Sequence, residues 1–270
     1  RRTGTTYKAD GARYYGARYY TEIISEYLLE HYDLFNQIQK IKRGNYKIGS
    51  HNGTTPRETS NRKEERIALA LAQKKVLNPL GEVIDYQVPL KSKQSDRAGK
   101  IDLMTFDEST GILRLIELKA PKSEETLLRC VLEIYTYYKT VDMNELLRSY
   151  GLDGKCKEVR ICPLFFKGST QNNVYNTVGN HGNLVALMHK MSDADVKVEL
   201  LRFPCEKIET VSPSSSHANG VTGCDTPCTP GAIVIIPTVK SSNAAPLDLE
   251  EVPDCDTGTP SIWEIEILDY

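Results

Sequence analysis

Apolar positions along this chain recur with two periods, one typical of β-strands and one typical of α-helices. Two short apolar segments, residues 101–106 and 112–118, are separated by a polar stretch with Gly111, a pattern typical of a β-hairpin. Similar short apolar runs predict three further strands, at residues 83–88, 159–166 and 196–203. The sequence therefore predicts at least five strands, two of them joined by a tight turn.

Apolar residues at helical spacing predict four helices, at residues 21–35, from about 61 to 75, from about 126 to 141, and at 183–191. Thr21 is expected to cap the first helix, and Ser123 or Thr126 the third. Strands separated by helices are typical of the α/β class. We therefore expect a mixed central β-sheet flanked by helices.

The chain divides by composition into three parts. Residues 1–59 are predicted to form an N-terminal helical extension with a basic loop, and residues 60–210 the folded core. Residues 211–270 read as a Ser-, Pro-, Gly- and Thr-rich linker and an acidic tail with possible edge strands. No stretch approaches the length of a membrane span.

The formal net charge of the 270 residues is −2, but the charge is unevenly distributed. Residues 36–75 contain ten Lys and Arg against three Asp and Glu, which suits a phosphate backbone or simply a solvated surface. Seven scattered cysteines favour a reduced, cytoplasmic setting over a disulfide framework. A zinc site is a weaker alternative, built from His217, Cys224, Cys228 and Cys255.

Three polar residues lie on the predicted hairpin. Glu117 and Lys119 are two residues apart at the end of an apolar strand, so their side chains point the same way. Pairing with the preceding strand brings Asp102 close to both. Two carboxylates and an ammonium in this arrangement can hold a divalent cation and activate a water to cut a phosphodiester. The alternative is an ordinary cross-strand ion pair.

This pattern, Asp-x(14)-Glu-x-Lys on two adjacent strands followed by a helix, resembles the PD-(D/E)XK nuclease superfamily over about residues 60–203. Ile101 stands where the family name has Pro. Some exonuclease-like branches carry Gln-x-x-x-Tyr on the helix after the second strand, and Glu133 and Tyr137 have that spacing here, with Glu replacing Gln. The resemblance implies a restriction-endonuclease-like fold and phosphodiester hydrolysis.

The resemblance also implies roles for individual residues. Asp102, Glu117 and the Leu118 carbonyl are expected to bind Mg²⁺ or Mn²⁺, and Lys119 to position or help deprotonate the attacking water. Glu64 or Glu65 is expected to complete a second metal site or to act through water, and the sequence does not choose between them. A charge at a helix N-terminus is the simpler interpretation of these two residues.

Four basic residues immediately precede Asp102 and are predicted to contact nucleic-acid phosphates: Lys91, Lys93, Arg97 and Lys100. The expected partner is nucleic acid, DNA rather than RNA, without a membrane, and cutting both strands of a duplex favours a homodimer. Two other interpretations stay open. In the first, the chain is a catalytically inactive nucleic-acid-binding or regulatory module with the same fold. In the second, it is an α/β domain that binds a small molecule or a protein.

Overall fold

The structure of the protein is a computed structural model that describes residues 14–15, 18–47, 63–90, 99–204, 207–210, 233–236 and 265–270. These residues form a mixed β-sheet with helices packed against it, which confirms the predicted fold class at that level. No helix in these ranges is long and apolar enough to cross a membrane.

Nine elements of the described residues precede or form the predicted hairpin. In chain order they are β1 (Tyr14–Tyr15), β2 (Arg18–Tyr19), α1 (Tyr20–Glu30), a 3₁₀-helix (Tyr32–Gln37), α2 (Lys63–Lys74), β3 (Val76–Leu77), β4 (Gly81–Pro89), β5 (Lys100–Asp107) and β6 (Ile112–Leu118). The predicted strands at residues 83–88, 101–106 and 112–118 are thus confirmed as β4, β5 and β6.

The second half of the chain alternates helices and strands. Its elements are α3 (Leu127–Thr140), α4 (Met143–Ser149), β7 (Glu158–Phe166), α5 (Thr170–Asn176), a 3₁₀-helix (Val178–Asn180), α6 (Gly182–Ala194), β8 (Lys197–Val198), β9 (Leu200–Phe203), β10 (Lys207–Thr210), β11 (Ile233–Ile236) and β12 (Glu266–Leu268). Strands β10 and β11 pair with each other in a separate two-stranded sheet.

The main sheet has the strand order β12-β9-β7-β6-β5-β4-β3, with β8 also paired to β7. From β3 to β6 each strand pairs antiparallel with the next one in the chain. Strands β6 and β7 are parallel, since α3 and α4 carry the chain back between them. Strand β6 lies in the interior of the sheet. Its carboxyl end, with Glu117 and Leu118, therefore has strands on both sides.

Each face of the sheet carries its own apolar core. The first core contains Leu113 and Leu115 of β6 and packs under α3 and α6. The second core contains Ile116 and Leu118 of the same strand and Ile67 from α2. Alternate residues of β6 therefore enter opposite cores, which accounts for its continuous apolar run.

Two local predictions, the Thr21 cap and a single strand at residues 196–203, are wrong, each for a tertiary reason. Thr21 is buried inside α1 rather than capping it, and Glu22 beside it instead accepts hydrogen bonds from the first backbone N–H groups of α6. Residues 168–173 lead into α5, and Ser169 caps this helix by accepting a hydrogen bond from the Asn172 N–H. Residues 196–203 form two strands instead of one, divided at Glu199, whose side chain pairs with buried Arg114 and partly buried Arg160.

The structure identifies Thr126 as the N-cap of α3, where its side chain accepts a hydrogen bond from the Arg129 N–H. We expect Thr126→Ala to lower the free energy of unfolding by about 1 kcal/mol. Ser123→Ala is the matched control, because Ser123 accepts only a long, 3.4 Å bond from the Glu125 N–H. Urea denaturation checks the prediction, and a larger loss in Ser123→Ala than in Thr126→Ala would contradict it.

Candidate active site

A cleft of about 660 Å³ opens at the carboxyl end of β6, between the first turn of α2 and one side of α3. Every side chain predicted to be catalytic lines this cleft, together with Lys100 from the predicted phosphate contacts. Its charged lining residues are Lys63, Glu64, Glu65, Lys100, Asp102, Glu117, Lys119, Lys122, Glu125 and Glu133.

Glu117 and Lys119 lie on the face of β6 that is turned towards α3, and both side chains are buried. Lys119 Nζ donates to Glu117 Oε1 at 2.8 Å. Glu117 Oε2 is also buried and accepts no hydrogen bond from the described residues. Burial, and then the nearby Asp102 carboxylate, raise the pKa of Glu117 well above its ordinary value. The second oxygen of Glu117 is therefore available to a ligand, and a cation there would favour the ionised form.

Lys119 contacts three carboxylates at once. Besides Glu117, its Nζ lies 3.0 Å from Glu133 Oε2 and 2.8 Å from Glu125 Oε2. Burial alone would lower the pKa of Lys119, but the carboxylates, with Glu117 foremost, raise it above its ordinary value. The ammonium is therefore held in its charged form at a fixed point of the cleft.

Asp102 is fixed by two donors from neighbouring strands. Its Oδ1 accepts from Gln87 Nε2 at 2.7 Å, and its Oδ2 accepts from the Leu118 N–H at 2.9 Å. Burial raises the pKa of Asp102 to about 6, although both hydrogen bonds oppose the shift. Each oxygen keeps a further lone pair. Asp102 is therefore an oriented carboxylate whose ionised form is favoured by both hydrogen bonds and by the charge of Lys119.

The structure distinguishes between Glu64 and Glu65, which the sequence could not. Glu64 Oε1 accepts a hydrogen bond from the Ala120 N–H at 3.2 Å, and its charge contributes to the raised pKa of Asp102. Glu65 lines the same cleft and acts electrostatically on Tyr86 instead. Of the two residues, Glu64 is thus the one close to the Asp102 carboxylate.

Glu133 and Tyr137 face the cleft together from α3. The Tyr137 hydroxyl donates to Glu133 Oε1 at 2.9 Å, while Glu133 Oε2 pairs with Lys119. Burial opposes ionisation of Glu133, but Lys119 outweighs it and lowers the pKa of this carboxyl. The two residues thus form one hydrogen-bonded unit behind the lysine.

The cleft residues fit a divalent cation. Six carboxyl groups and four lysines line it, which gives the lining a formal net charge of −2 when all are ionised. No group of three or more His, Cys, Asp and Glu in the described ranges is placed to hold a metal ion. Mg²⁺, however, commonly binds through one or two carboxylates and keeps several waters. Asp102 and Glu117 would supply those carboxylates.

Leu118 contributes through its main chain and is not itself a lining residue. Its N–H points to Asp102. The N–H and C=O of one strand residue point to the same side, so the Leu118 carbonyl also faces β5. This orientation is compatible with the predicted carbonyl ligand.

Several predicted residues lie outside the described ranges: Lys91, Lys93, Arg97, His217, Cys224, Cys228 and Cys255. Cys130 and Cys162 are buried free thiols, as their apolar surroundings in the sequence indicate. The third cysteine with a described position, Cys156, is also free and partly buried.

Among the polar residues that line the cleft, the sequence did not identify Lys63, Gln87, Lys122, Ser123 and Glu125 as site residues. Glu125 lies a few residues after the end of β6 and immediately before Thr126, the N-cap of α3. Its place next to the predicted cap was the sequence feature that could have identified it. Gln87 lies on a neighbouring strand, and no motif marks it.

Comparison with protein-family models, with curated proteins and with solved structures found no match to this chain.

Proposed function

We propose that the protein is a metal-dependent nuclease with a restriction-endonuclease-like fold that hydrolyses phosphodiester bonds. One observation carries the proposal. Two buried or half-buried carboxylates, Asp102 and Glu117, lie beside the charged Lys119 in an open cleft, and Glu117 Oε2 has no hydrogen-bond partner among the described residues. A purely structural ion pair does not require a buried carboxylate oxygen that has no hydrogen-bond partner.

The roles of the residues follow from their positions. Asp102 and Glu117 would hold Mg²⁺ or Mn²⁺, which when bound supplies a Lewis acid and a water of lowered pKa. Lys119 positions the attacking water and offsets the negative charge that develops on the phosphoryl group. Its raised pKa favours this role over that of a general base. Glu125 and Glu133 fix the lysine, and Tyr137 fixes Glu133.

The proposed substrate is nucleic acid, DNA rather than RNA. Lys63, Lys100 and Lys122 line the cleft and supply the positive charge that phosphate contacts require. Lys91, Lys93 and Arg97, just before β5 in the sequence, are proposed to extend this surface. For cutting both strands of a duplex we propose a homodimer, because one such site cuts one strand.

Metal binding gives the first test of the proposal. At 100 times its dissociation constant, Mn²⁺ should stabilise the wild-type protein by about 2.7 kcal/mol, seen as a rise in melting temperature that EDTA reverses. Asp102→Asn should abolish the rise, because the variant lacks one of the two proposed carboxylate ligands.

Glu108→Gln is the matched control for that experiment. Glu108 lies on the same hairpin as Asp102, at its opposite end, and its side chain is 84% exposed. This variant should keep the full Mn²⁺-dependent rise. An equal rise in Asp102→Asn, or none in the wild-type protein, would contradict the proposed metal site.

A further inference from the structure

Gln87 combines a place in the cleft with a backbone conformation that residues other than glycine rarely adopt. Its φ is +49°, although it lies inside β4. Lys75, with a φ of +64°, is the other described non-glycine residue in this region of φ. Such a conformation is unfavourable and persists where the surrounding structure imposes it, often at a functional site.

The strands β4 and β5 change face at this point. Tyr86 pairs with Leu103, and both pack in the second core. Val88 pairs with Ile101, two residues further along, and both pack in the first core. Side chains two apart on a regular strand lie on the same face, so the strand pair rotates between these two pairs. Gln87 and Asp102 are the residues that lie between these two pairs, where the strands rotate.

The rotation brings the two intervening side chains together. Gln87 Nε2 donates to Asp102 Oδ1 at 2.7 Å, and the Leu118 N–H donates to Oδ2 at 2.9 Å. A carboxylate held by a donor on each oxygen has a fixed plane and a fixed direction for its remaining lone pairs. Groups that hold a metal ligand in this way commonly change metal affinity when they are removed.

We infer that Gln87 is a positioning residue, whose left-handed backbone directs its amide at Asp102 and holds that carboxylate in the orientation that receives a divalent cation. This inference rests on the proposed function. By this inference, the unfavourable backbone conformation of Gln87 in β4 serves the proposed metal site and not the packing of the strand.

Two substitutions of Gln87 separate its side chain from its backbone. Gln87→Met keeps the bulk of the side chain and the left-handed backbone but removes the donor. Gln87→Gly removes the donor and also relieves the backbone, because glycine adopts positive φ freely. Lys75→Gly is the matched control, since it relieves a left-handed backbone at an exposed residue that does not line the cleft.

Mn²⁺ affinity of the full chain, measured by calorimetry, is the main readout, with the melting temperature of the metal-free protein beside it. Both Gln87 variants should bind Mn²⁺ about 10- to 100-fold more weakly than wild type. Gln87→Gly should nevertheless melt at a higher temperature than Gln87→Met, and Lys75→Gly should bind Mn²⁺ like wild type.

Wild-type Mn²⁺ affinity in Gln87→Met would overturn the positioning role and leave the proposed function intact. Weakened binding in Lys75→Gly as well would also overturn it, because the effect would then come from general destabilisation. Absence of Mn²⁺ binding by the wild-type protein would overturn the proposed function and this inference together.

Discussion

Lys119→Met is expected to lower the rate of phosphodiester cleavage about 10³-fold while leaving metal binding intact. The substitution removes the ammonium that positions the water and offsets phosphoryl charge, and it keeps both proposed metal ligands, Asp102 and Glu117. Mn²⁺ affinity should be retained or raised, since the variant no longer places a competing cation 2.8 Å from Glu117 Oε1. Single-turnover cleavage and Mn²⁺ calorimetry on the same preparation check the two halves of the prediction.

The control for Lys119→Met must account for stability. Without metal the variant leaves buried Glu117 unpaired, which costs about 3–5 kcal/mol, so folding is verified by circular dichroism with Mn²⁺ present. Lys155→Met removes a lysine of which 59% is exposed, at the opposite end of β6 from Lys119, and should cleave like wild type. A folded, metal-bound Lys119→Met protein with wild-type cleavage would exclude the proposed role of the lysine.

Glu199→Gln is expected to lower the free energy of unfolding by about 3–5 kcal/mol. Glu199 lies between two arginines, with its Oε2 2.6 Å from Arg114 Nε and its Oε1 on Arg160. Arg114 is only 4% exposed, so a neutral partner leaves its charge buried and unpaired. Arg114 belongs to the strand that carries Glu117, so this pair also supports the site. Denaturant titration at neutral pH measures the loss.

The same ion pair makes stability depend on pH. Burial alone would raise the pKa of Glu199, but Arg114 and then Arg160 lower it below its ordinary value. The stabilisation is therefore present above the unfolded-state pKa of about 4.3 and is lost as pH falls through the lower folded-state pKa. Wild type should lose stability over this acidic range, and Glu199→Gln should lose less.

Glu266→Gln is the matched control for the ion pair. Glu266 pairs with Arg202 across β9 and β12 at 2.6 Å, but 43% of its side chain is exposed. Exposed pairs contribute about 0–1 kcal/mol, so this variant should remain close to wild type. A loss in Glu266→Gln equal to that in Glu199→Gln would show that burial of the pair does not determine its contribution.

The sequence predicts best those elements that are determined by the spacing of their own apolar residues. The hairpin of β5 and β6 follows from two apolar runs and a turn at Gly111, whose φ is +75°. Helix α3 follows from its apolar spacing and the Thr126 cap. By contrast, the break at Glu199 depends on Arg114, 85 residues away in sequence, and no local pattern reports such a partner.

The residues of the candidate site also divide into those that the local sequence places and those that depend on distant parts of the chain. Glu117 and Lys119 share a face because they are two apart on a strand, so the sequence could place them together. The proximity of Glu64 to Asp102 depends on how α2 approaches the Ala120 N–H, which helical periodicity does not encode. Gln87 was missed because its role depends on a positive φ inside a strand, which its residue type does not indicate.

The measurement that tests the proposed nuclease most directly is cleavage of labelled single-stranded DNA, duplex DNA and RNA with Mg²⁺, Mn²⁺ or EDTA. Wild type, Asp102→Asn and Lys119→Met are compared side by side. The proposal predicts metal-dependent cutting by wild type, of DNA in preference to RNA, that both variants lose. Nucleic-acid binding without any cutting would instead indicate an inactive binding module. Cutting that persists in EDTA or in Asp102→Asn would contradict the metal site at Asp102 and Glu117.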